Sequence, residues 1–194
     1  NLCSGGTLLI YFTEGQPQLS GKGRAFLLLA LAFALCAVVK WYAPTLIIPL
    51  ILSAIIENVR LRHFGKCLPV SLFSASESIS RKFHQAALLC LSLGLMISSL
   101  AIYNSEYAHW FINNKFKLDT FFLGYSFPLS LISMSVIFSL MKKHASPPIA
   151  FFKELSFWVI NLGVIVFFLF ILANWFIPQL AISTTLFLFV TIFL

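Results

Sequence analysis

Long apolar runs that contain almost no charged side chain are the feature of this sequence that most constrains its fold. Four such runs cover residues 25–41, 43–58, 120–141 and 155–176. A helix needs about 20 apolar residues to cross the roughly 30 Å of hydrocarbon in a bilayer. Hydrophobic residues make up 60% of the 194 residues and charged residues only 10%, with a mean hydropathy of +0.96. This composition excludes a soluble globular domain and a disordered chain.

The number of apolar runs predicts an all-α, polytopic integral membrane protein with about six transmembrane helices. A further crossing is expected over residues 85–103, and the sixth begins at Leu180. The sequence is still apolar at Leu194, so we expect the last helix to be truncated. We therefore expect the sequence to be part of a longer protein, in which residues 1–24 form a cytoplasmic-side segment or the tail of an earlier helix.

The remaining segments are expected to follow the same pattern of short connections between apolar runs. Residues 25–58 predict a short transmembrane helical hairpin, because one helix through both runs would be about 51 Å long. A re-entrant hairpin is the alternative, since Pro49 removes a backbone hydrogen bond from a short arm. Residues 59–84 predict a basic, serine-rich cytoplasmic loop and the start of helix three, and residues 85–194 predict four transmembrane helices in two hairpin-like pairs.

The distribution of lysine and arginine predicts the orientation of the chain. When the predicted spans are alternated across the membrane, ten basic residues fall on one side: Lys22, Arg24, Arg60, Arg62, Lys66, Arg81, Lys82, Lys142, Lys143 and Lys153. The other side has three, which are Lys40, Lys115 and Lys117. Short loops rich in lysine and arginine stay in the cytoplasm, so the richer side is expected to be cytoplasmic.

This orientation predicts a location and a set of partners. We expect an integral protein of a cell membrane, the bacterial inner (plasma) membrane, whose partners are the lipid bilayer and other membrane subunits. The net charge of +7 indicates an attraction to anionic lipid. A nucleic-acid partner is not expected, because the sequence contains no basic soluble module that would bind one.

Small, polar and proline residues inside the apolar runs predict how the helices pack. Cys90, Gly94 and Ser98 recur every four residues, and small residues on one helix face allow a second helix to approach closely. The Asn161 amide needs a partner in hydrocarbon, and we expect a hydrogen bond to the third or fourth helix. Pro49 and Pro128 are expected to kink their helices, because proline lacks the backbone N–H. The other four residues are the predicted packing sites.

Histidine is the residue type here that is best suited to hold a cofactor. His84 and His144 fall on the same predicted side, at the ends of helices three and four, and would suit a b-type haem if these helices are neighbours. Histidines that lie at the headgroups without a ligand are the alternative. Glu106 and His109 predict either an acid/base or metal pair, or part of an aromatic belt. The four cysteines have no metal-ligand spacing, so a zinc or iron–sulfur site is not expected, and the cofactor is otherwise unknown.

Three functions are compatible with these features. The leading hypothesis is a non-catalytic integral subunit or scaffold of a larger membrane complex, which would contact its partners through the face of Cys90, Gly94 and Ser98. A haem- or quinone-associated electron-transport subunit is the first alternative. The second is a transporter or channel component, for which the notable features are Pro49, Pro128, Asn161 and the serines of the fourth span. The chain is not expected to have catalytic activity of its own, since charged residues are scarce inside the predicted spans.

Overall fold

The computed structural model describes residues 2–15, 17–65, 69–74, 77–109, 127–140 and 147–192. Within these ranges the chain forms α-helices and no β-strand. The helices are α1 (Leu2–Glu14), α2 (Gly21–Val38), α3 (Tyr42–Phe64), α4 (Ile79–Tyr103), α5 (Phe127–Leu140), α6 (Pro147–Ala173) and α7 (Phe176–Ile192). A short 3-10 helix, Val70–Phe73, precedes α4, and a π-helical turn, Asn104–Ala108, follows it. The predicted all-α fold is therefore confirmed.

Four of these helices are long and apolar enough to cross a membrane. They are α2, α3, α4 extended by the π-helical turn, and α6. Helices α5 and α7 are apolar but shorter, at 14 and 17 residues. Residues 120–126, which the sequence assigns to the fourth span, lie outside the described residues, as do residues 193–194. The predicted total of six crossings thus stays a prediction beyond these four helices.

Helices α2 and α3 form the helical hairpin that the sequence predicts for residues 25–58. The turn between them contains Lys40, whose φ of 58° is left-handed. Helix α3 continues through Pro49. The Ser99 hydroxyl of α4 donates a hydrogen bond to the carbonyl of Leu46, which lies in the turn before this proline. A hydroxyl from a neighbouring helix is the kind of group that satisfies backbone carbonyls near a helical proline.

Helices α3 and α4 pack side by side in an antiparallel register. Besides the Ser99 contact, the Ser53 and Ser92 hydroxyls lie 3.1 Å apart. Leu46 and Ser53 are seven residues apart on α3, and Ser92 and Ser99 are seven apart on α4. Seven residues make about two helical turns, so the same pair of faces meets repeatedly along the seam. Apolar side chains fill it, including the fully buried Leu52, Ile56, Leu88 and Leu95.

Helix α1 lies against the rest of the bundle through two glycines. A Cβ added at Gly6 would lie 2.2 Å from the Phe26 ring of α2, and one at Gly5 would lie 2.9 Å from Leu129 of α5. These positions accept no larger residue without movement of a neighbour, which is how small residues allow helices to approach closely. Residues 1–24 therefore contain a helix that is packed inside the structure.

Helix α6 begins within the bundle and then leaves it. Its residues Lys153, Ser156, Phe157 and Ile160 are buried. From Asn161 onward the helix packs mainly against α7, and α7 has no buried residue among its described positions. We call residues 161–192 the arm.

Seven of the eight described lysines and arginines lie at one end of the bundle, and five of the seven described tyrosines and tryptophans lie at the other. Bonds from Lys22 to Asn58 and from Lys82 to Glu154 bring the ends of α2, α3, α4 and α6 together. We call this the basic end; its described cations are Lys22, Arg24, Arg60, Arg62, Arg81, Lys82 and Lys153. Lys66, Lys115, Lys117, Lys142 and Lys143 lie outside the described residues. The aromatic end contains Trp41, Tyr42, Tyr103, Tyr107 and Trp175.

Candidate functional site

Two cations of the basic end are almost completely buried. The side chain of Lys82, in the first turns of α4, is 1% exposed, and that of Arg60, near the end of α3, is 2% exposed. An ionised side chain that is removed from water needs an opposite charge and hydrogen bonds to offset its lost hydration. These two residues therefore mark the part of the chain where polar chemistry is concentrated.

Lys82 joins α4 to α6 through an ion pair. Its Nζ atom lies 2.5 Å from Oε1 of Glu154 and donates a hydrogen bond to it. The same nitrogen is 5.9 Å from the centre of the Phe157 ring, close enough for a cation–π contact. Phe157 in turn packs edge-on against Phe83 of α4. The cation therefore contacts a carboxylate and an aromatic ring that both belong to α6.

Arg60 has its carboxylate one turn earlier on the same helix. Its Nε and Nη2 atoms donate to Oε2 of Glu57, at 2.9 and 2.6 Å. The other carboxylate oxygen, Oε1, is buried and has no hydrogen-bond partner among the described residues. The pair sits on the face of α3 that packs against α4, so it brings a charged layer into the seam.

Gln85 of α4 completes this polar layer. Ser53 of α3 lies opposite Ser92 of α4. Because the two helices are antiparallel, seven residues further along α3 and seven residues earlier on α4 place Arg60 opposite Gln85. Gln85 is 1% exposed, and its Oε1 accepts a hydrogen bond of 2.6 Å from the Ser71 hydroxyl. Its Nε2 is buried without a partner among the described residues. The layer thus holds one unpaired acceptor, on Glu57, and one unpaired donor.

His84, a predicted haem ligand, is placed between α1 and α3. Its Nε2 lies 2.6 Å from the Thr13 hydroxyl at the end of α1. The ring also stacks on His63 of α3, with centroids 6.3 Å apart. Because Thr13 already contacts Nε2, an iron at that nitrogen would have to displace it. His144 lies outside the described residues, so the predicted pair of haem ligands stays a prediction.

Metal ligands do not cluster in the part of the chain that the structure describes: no three His, Cys, Asp or Glu side chains there are arranged to hold an ion. Glu106 and His109, the other predicted pair, lie in and just after the π-helical turn. Glu106 interacts with the Ser105 and Tyr42 hydroxyls. The His109 side chain is exposed, at a left-handed backbone position with φ of 51°.

The predicted packing residues of α4 lie inside the chain. Gly94 and Ser98 are buried, and Cys90 is half-buried. The face that was expected to contact a partner subunit is therefore occupied within this chain, because α4 is the central helix and packs on α1, α3, α5 and α6. A partner would have to use another surface.

Asn161 has a different hydrogen-bond partner from the one expected, whereas the kinks expected at the two prolines stay predictions. The Asn161 amide donates a 2.7 Å hydrogen bond to the carbonyl of Phe157, on its own helix, rather than to the third or fourth helix. Asn161 is half-exposed at the start of the arm, and the Phe157 carbonyl lies one turn earlier on the same helix. Pro49 lies inside α3. Residues 120–126, directly before Pro128, are outside the described residues, so the predicted kink at Pro128 stays a prediction.

An open apolar groove lies where α5 meets the arm. Its volume is about 260 Å³. Its lining is mostly aromatic and aliphatic, with two serines: Phe127, Ser130, Val164, Phe167, Phe168, Ser183 and Leu186. The Ser183 hydroxyl donates to the Leu180 carbonyl of its own helix. The groove therefore offers mainly apolar contact.

Sequence reasoning missed the buried positions of Lys82, Arg60, Gln85 and Thr13. The charged residues were assigned to the headgroups because they lie just outside apolar runs. The available signal was that Lys82 and Glu154 have opposite charges and flank two runs on the same predicted side. Their separation of 72 residues hides the contact from any local pattern.

Comparison with protein families, with curated proteins and with solved structures gave no match. Three features of the described residues bear on function. They are the paired charges buried at the basic end, the aromatic residues at the other end, and the exposed apolar arm.

Proposed function

We propose that this chain is an integral membrane protein whose basic end faces the cytoplasm. Lys82 and Tyr103 lie near the two ends of α4, and 21 residues of helix separate them by about 32 Å. This length matches the hydrocarbon thickness of a bilayer. Lysine and arginine collect on the cytoplasmic side of membrane proteins, and tyrosine and tryptophan lie at the interfaces. The bacterial inner membrane fits this arrangement.

Within that membrane, we propose that the chain is a non-catalytic subunit or scaffold of a larger complex. The observation that carries this proposal is the unpaired face of α7. Ala181 and Thr185, four residues apart, are both exposed, and so are Ile177 and Leu188 on the same side of the helix. Small residues at this spacing are typical of helices that pack closely against another helix in a membrane.

The charges of the basic end support the same function. Lys82, Arg60 and Arg81 each form an ion pair with a glutamate of this chain. The Lys82–Glu154 pair joins α4 to α6 and so ties the helix that carries the arm to the bundle, while the other two pairs are local. A bundle that presents an exposed apolar helix suits a subunit that assembles with others.

The test compares two alanine positions that are both exposed. Ala181→Leu adds bulk to the proposed contact face of α7, and Ala34→Leu adds the same bulk to the exposed face of α2. The full-length protein is purified from its native membrane in mild detergent, and the complex is analysed by native mass spectrometry. We expect a complex of constant composition with the wild type and with Ala34→Leu, and at least tenfold less of it with Ala181→Leu. A monomeric wild type, or an intact Ala181→Leu complex, would contradict the proposal.

The same sample distinguishes the electron-transport alternative. A subunit that binds b-type haem shows a Soret band, and the band should disappear in His84→Ala if that residue is an axial ligand. We expect no Soret band from the purified chain, because the Thr13 hydroxyl lies 2.6 Å from the His84 Nε2. A band that depends on His84 would replace the subunit proposal with electron transport.

A further inference from the structure

Six of the seven described cations of the basic end fall into two groups. Arg60, Arg81 and Lys82 each lie beside a glutamate. Three others have no ion pair among the described residues: Lys22, Arg24 and Arg62. Lys22 donates to the amide oxygen of Asn58, and Arg24 donates to the backbone carbonyl of Leu19, so these two bonds leave the positive charges without a compensating anion.

These three cations lie together on the α2–α3 hairpin. The 2.6 Å bond from Lys22 to Asn58 joins the first turn of α2 to the end of α3. Arg62 follows Asn58 by four residues, which places it one turn further along the same face of α3. Arg24 is exposed at the same end of α2, on a different face of the helix from Lys22. The result is a positively charged surface at one end of the hairpin.

An exposed apolar stripe continues from the cations along each helix. On α2, Leu28, Leu31 and Leu35 follow Arg24 by four, seven and eleven residues and therefore share its face; Leu28 and Leu35 are each 67% exposed. On α3, Ile51 and Ile47 precede Asn58 by seven and eleven residues and are also exposed. The α2 stripe is apolar for about 15 Å and ends at Arg24, and the α3 stripe ends at Asn58, one turn before Arg62.

We propose that this surface binds an anionic phospholipid of the bilayer. Lys22, Arg62 and the nearby Arg24 would contact the phosphate and the negatively charged headgroup, since guanidinium and ammonium groups donate charge-assisted hydrogen bonds to phosphate. The leucine and isoleucine stripes contact the acyl chains. Charge and apolarity are arranged in the order that a phospholipid presents them, with the charge at one end and the hydrocarbon beneath it.

This inference rests on membrane insertion and is independent of the proposed partner complex. It also commits to a lipid rather than to a soluble anion, because the cations lie at the end of exposed apolar stripes. Anionic lipid attracts each lysine or arginine at the membrane surface enough to change binding about fivefold. Two neutralised cations should therefore lower the preference for anionic lipid about 25-fold.

The experiment measures which lipid the isolated full chain retains. The protein is equilibrated in detergent with equal amounts of phosphatidylglycerol and phosphatidylcholine that have the same acyl chains, and the retained lipids are counted by native mass spectrometry. We expect the wild type to retain phosphatidylglycerol preferentially. The double variant Lys22→Gln/Arg62→Gln should lose that preference about 25-fold, and Lys40→Gln, at the opposite end, should keep it.

Equal retention of the two lipids by the wild type would overturn the proposal, and so would an equal loss in Lys40→Gln. If the double variant does not fold, the salt dependence of the wild type decides. Salt screens exposed charges, so the preference should fall between 0.05 and 1 M NaCl, to about a tenth or less. An unchanged preference at 1 M NaCl would overturn the proposal, whereas the subunit proposal would still stand.

Discussion

At Lys82, one ion pair allows a cation to lie inside an otherwise apolar bundle. The ammonium group is 2.5 Å from Glu154 and 5.9 Å from the centre of the Phe157 ring. Removing one member of a buried pair leaves the other charge without compensation, which costs more than the pair contributes when intact. The two residues should therefore behave as a unit in mutagenesis.

We predict that Glu154→Gln lowers the free energy of unfolding by about 1–3 kcal/mol, less than for a fully buried pair because the Glu154 side chain is 36% exposed. The double variant Lys82→Met/Glu154→Leu should recover most of this loss, since it removes both charges and keeps the volume. Unfolding in detergent, followed by circular dichroism during denaturant titration, measures both effects.

The matched control is Glu77→Gln. Glu77 lies 3.4 Å from Arg81, but this pair is on the surface, with side chains 29% and 52% exposed. An exposed pair contributes little, so we expect a change of about 0.5 kcal/mol or less. A loss in Glu154→Gln no larger than in this control would show that Lys82 tolerates burial without its partner.

Single residues were the level at which the sequence predicted least. The charge of Lys82 and its place at the start of a helix are evident from the pattern, but its burial depends on a glutamate 72 residues away. His84 was recognised as a notable histidine, whereas its contact with Thr13 spans 71 residues. Asn161 was expected to bond across helices and instead bonds to its own backbone, because a carbonyl one turn back is always within reach of an asparagine.

At the level of helices, the arm depends on one close contact between α6 and α7. A Cβ at Gly163 would lie 2.8 Å from Cδ2 of Leu186. Glycine therefore sets how closely the two helices approach, as small residues do in membrane helix pairs. The contact also lies beside the apolar groove, which Leu186 lines.

We predict that Gly163→Leu separates α6 from α7 and lowers the free energy of unfolding by about 1–3 kcal/mol through overpacking. Replacing Leu186 with alanine in the same chain should recover part of the loss, because it removes the atoms that clash. Hydrogen exchange of the α7 amides, followed by mass spectrometry, is the measurement, and exchange should be faster in the single variant.

Gly21→Leu serves as the control for this substitution. A Cβ at Gly21 meets no atom within 4 Å, so added bulk there should leave the exchange of α7 unchanged. The interpretation of Gly163 as the close-contact residue would be wrong if Gly163→Leu and Gly21→Leu gave the same exchange profile.

Among helices, length is the signal that the sequence carries most clearly, whereas the kinks expected at Pro49 and Pro128 stay predictions. The hairpin of α2 and α3 follows from two adjacent apolar runs that are together too long for one crossing. The packing face of Cys90, Gly94 and Ser98 was recognised from its spacing, but the sequence did not reveal that the partner helices belong to the same chain. Spacing shows that a face is suited to close packing, and it carries no information about which helix occupies that face.

At the level of the whole molecule, the two ends have different chemistry. The alternation of spans predicted that Lys22 and Arg62 lie on one side and Lys40 on the other, and the described contacts place them so. Counting basic residues uses the whole chain, and a single helix would not have revealed the difference between the two ends. Whether a membrane separates the two ends, and which end faces the cytoplasm, stays a prediction.

We predict that cysteines placed at the two ends react from opposite sides of the membrane. In a background without the native cysteines, Arg62→Cys should be labelled by a membrane-impermeant maleimide only in inverted vesicles. Lys40→Cys should be labelled only from the outside of intact cells. Labelling of both positions from the same side would contradict the proposed topology, and labelling in the reverse sense would invert it.

The ion pair between α4 and α6 has a consequence for the order of events during synthesis. Glu154 is made 72 residues after Lys82. Ribosomes add about 5–20 residues each second, so for roughly 4–14 s the nascent chain contains the lysine without its carboxylate. During this interval the ammonium group has to remain hydrated, and the start of α4 has to stay at the water boundary. The bundle can therefore close around Lys82 only after the ribosome has synthesised the start of α6.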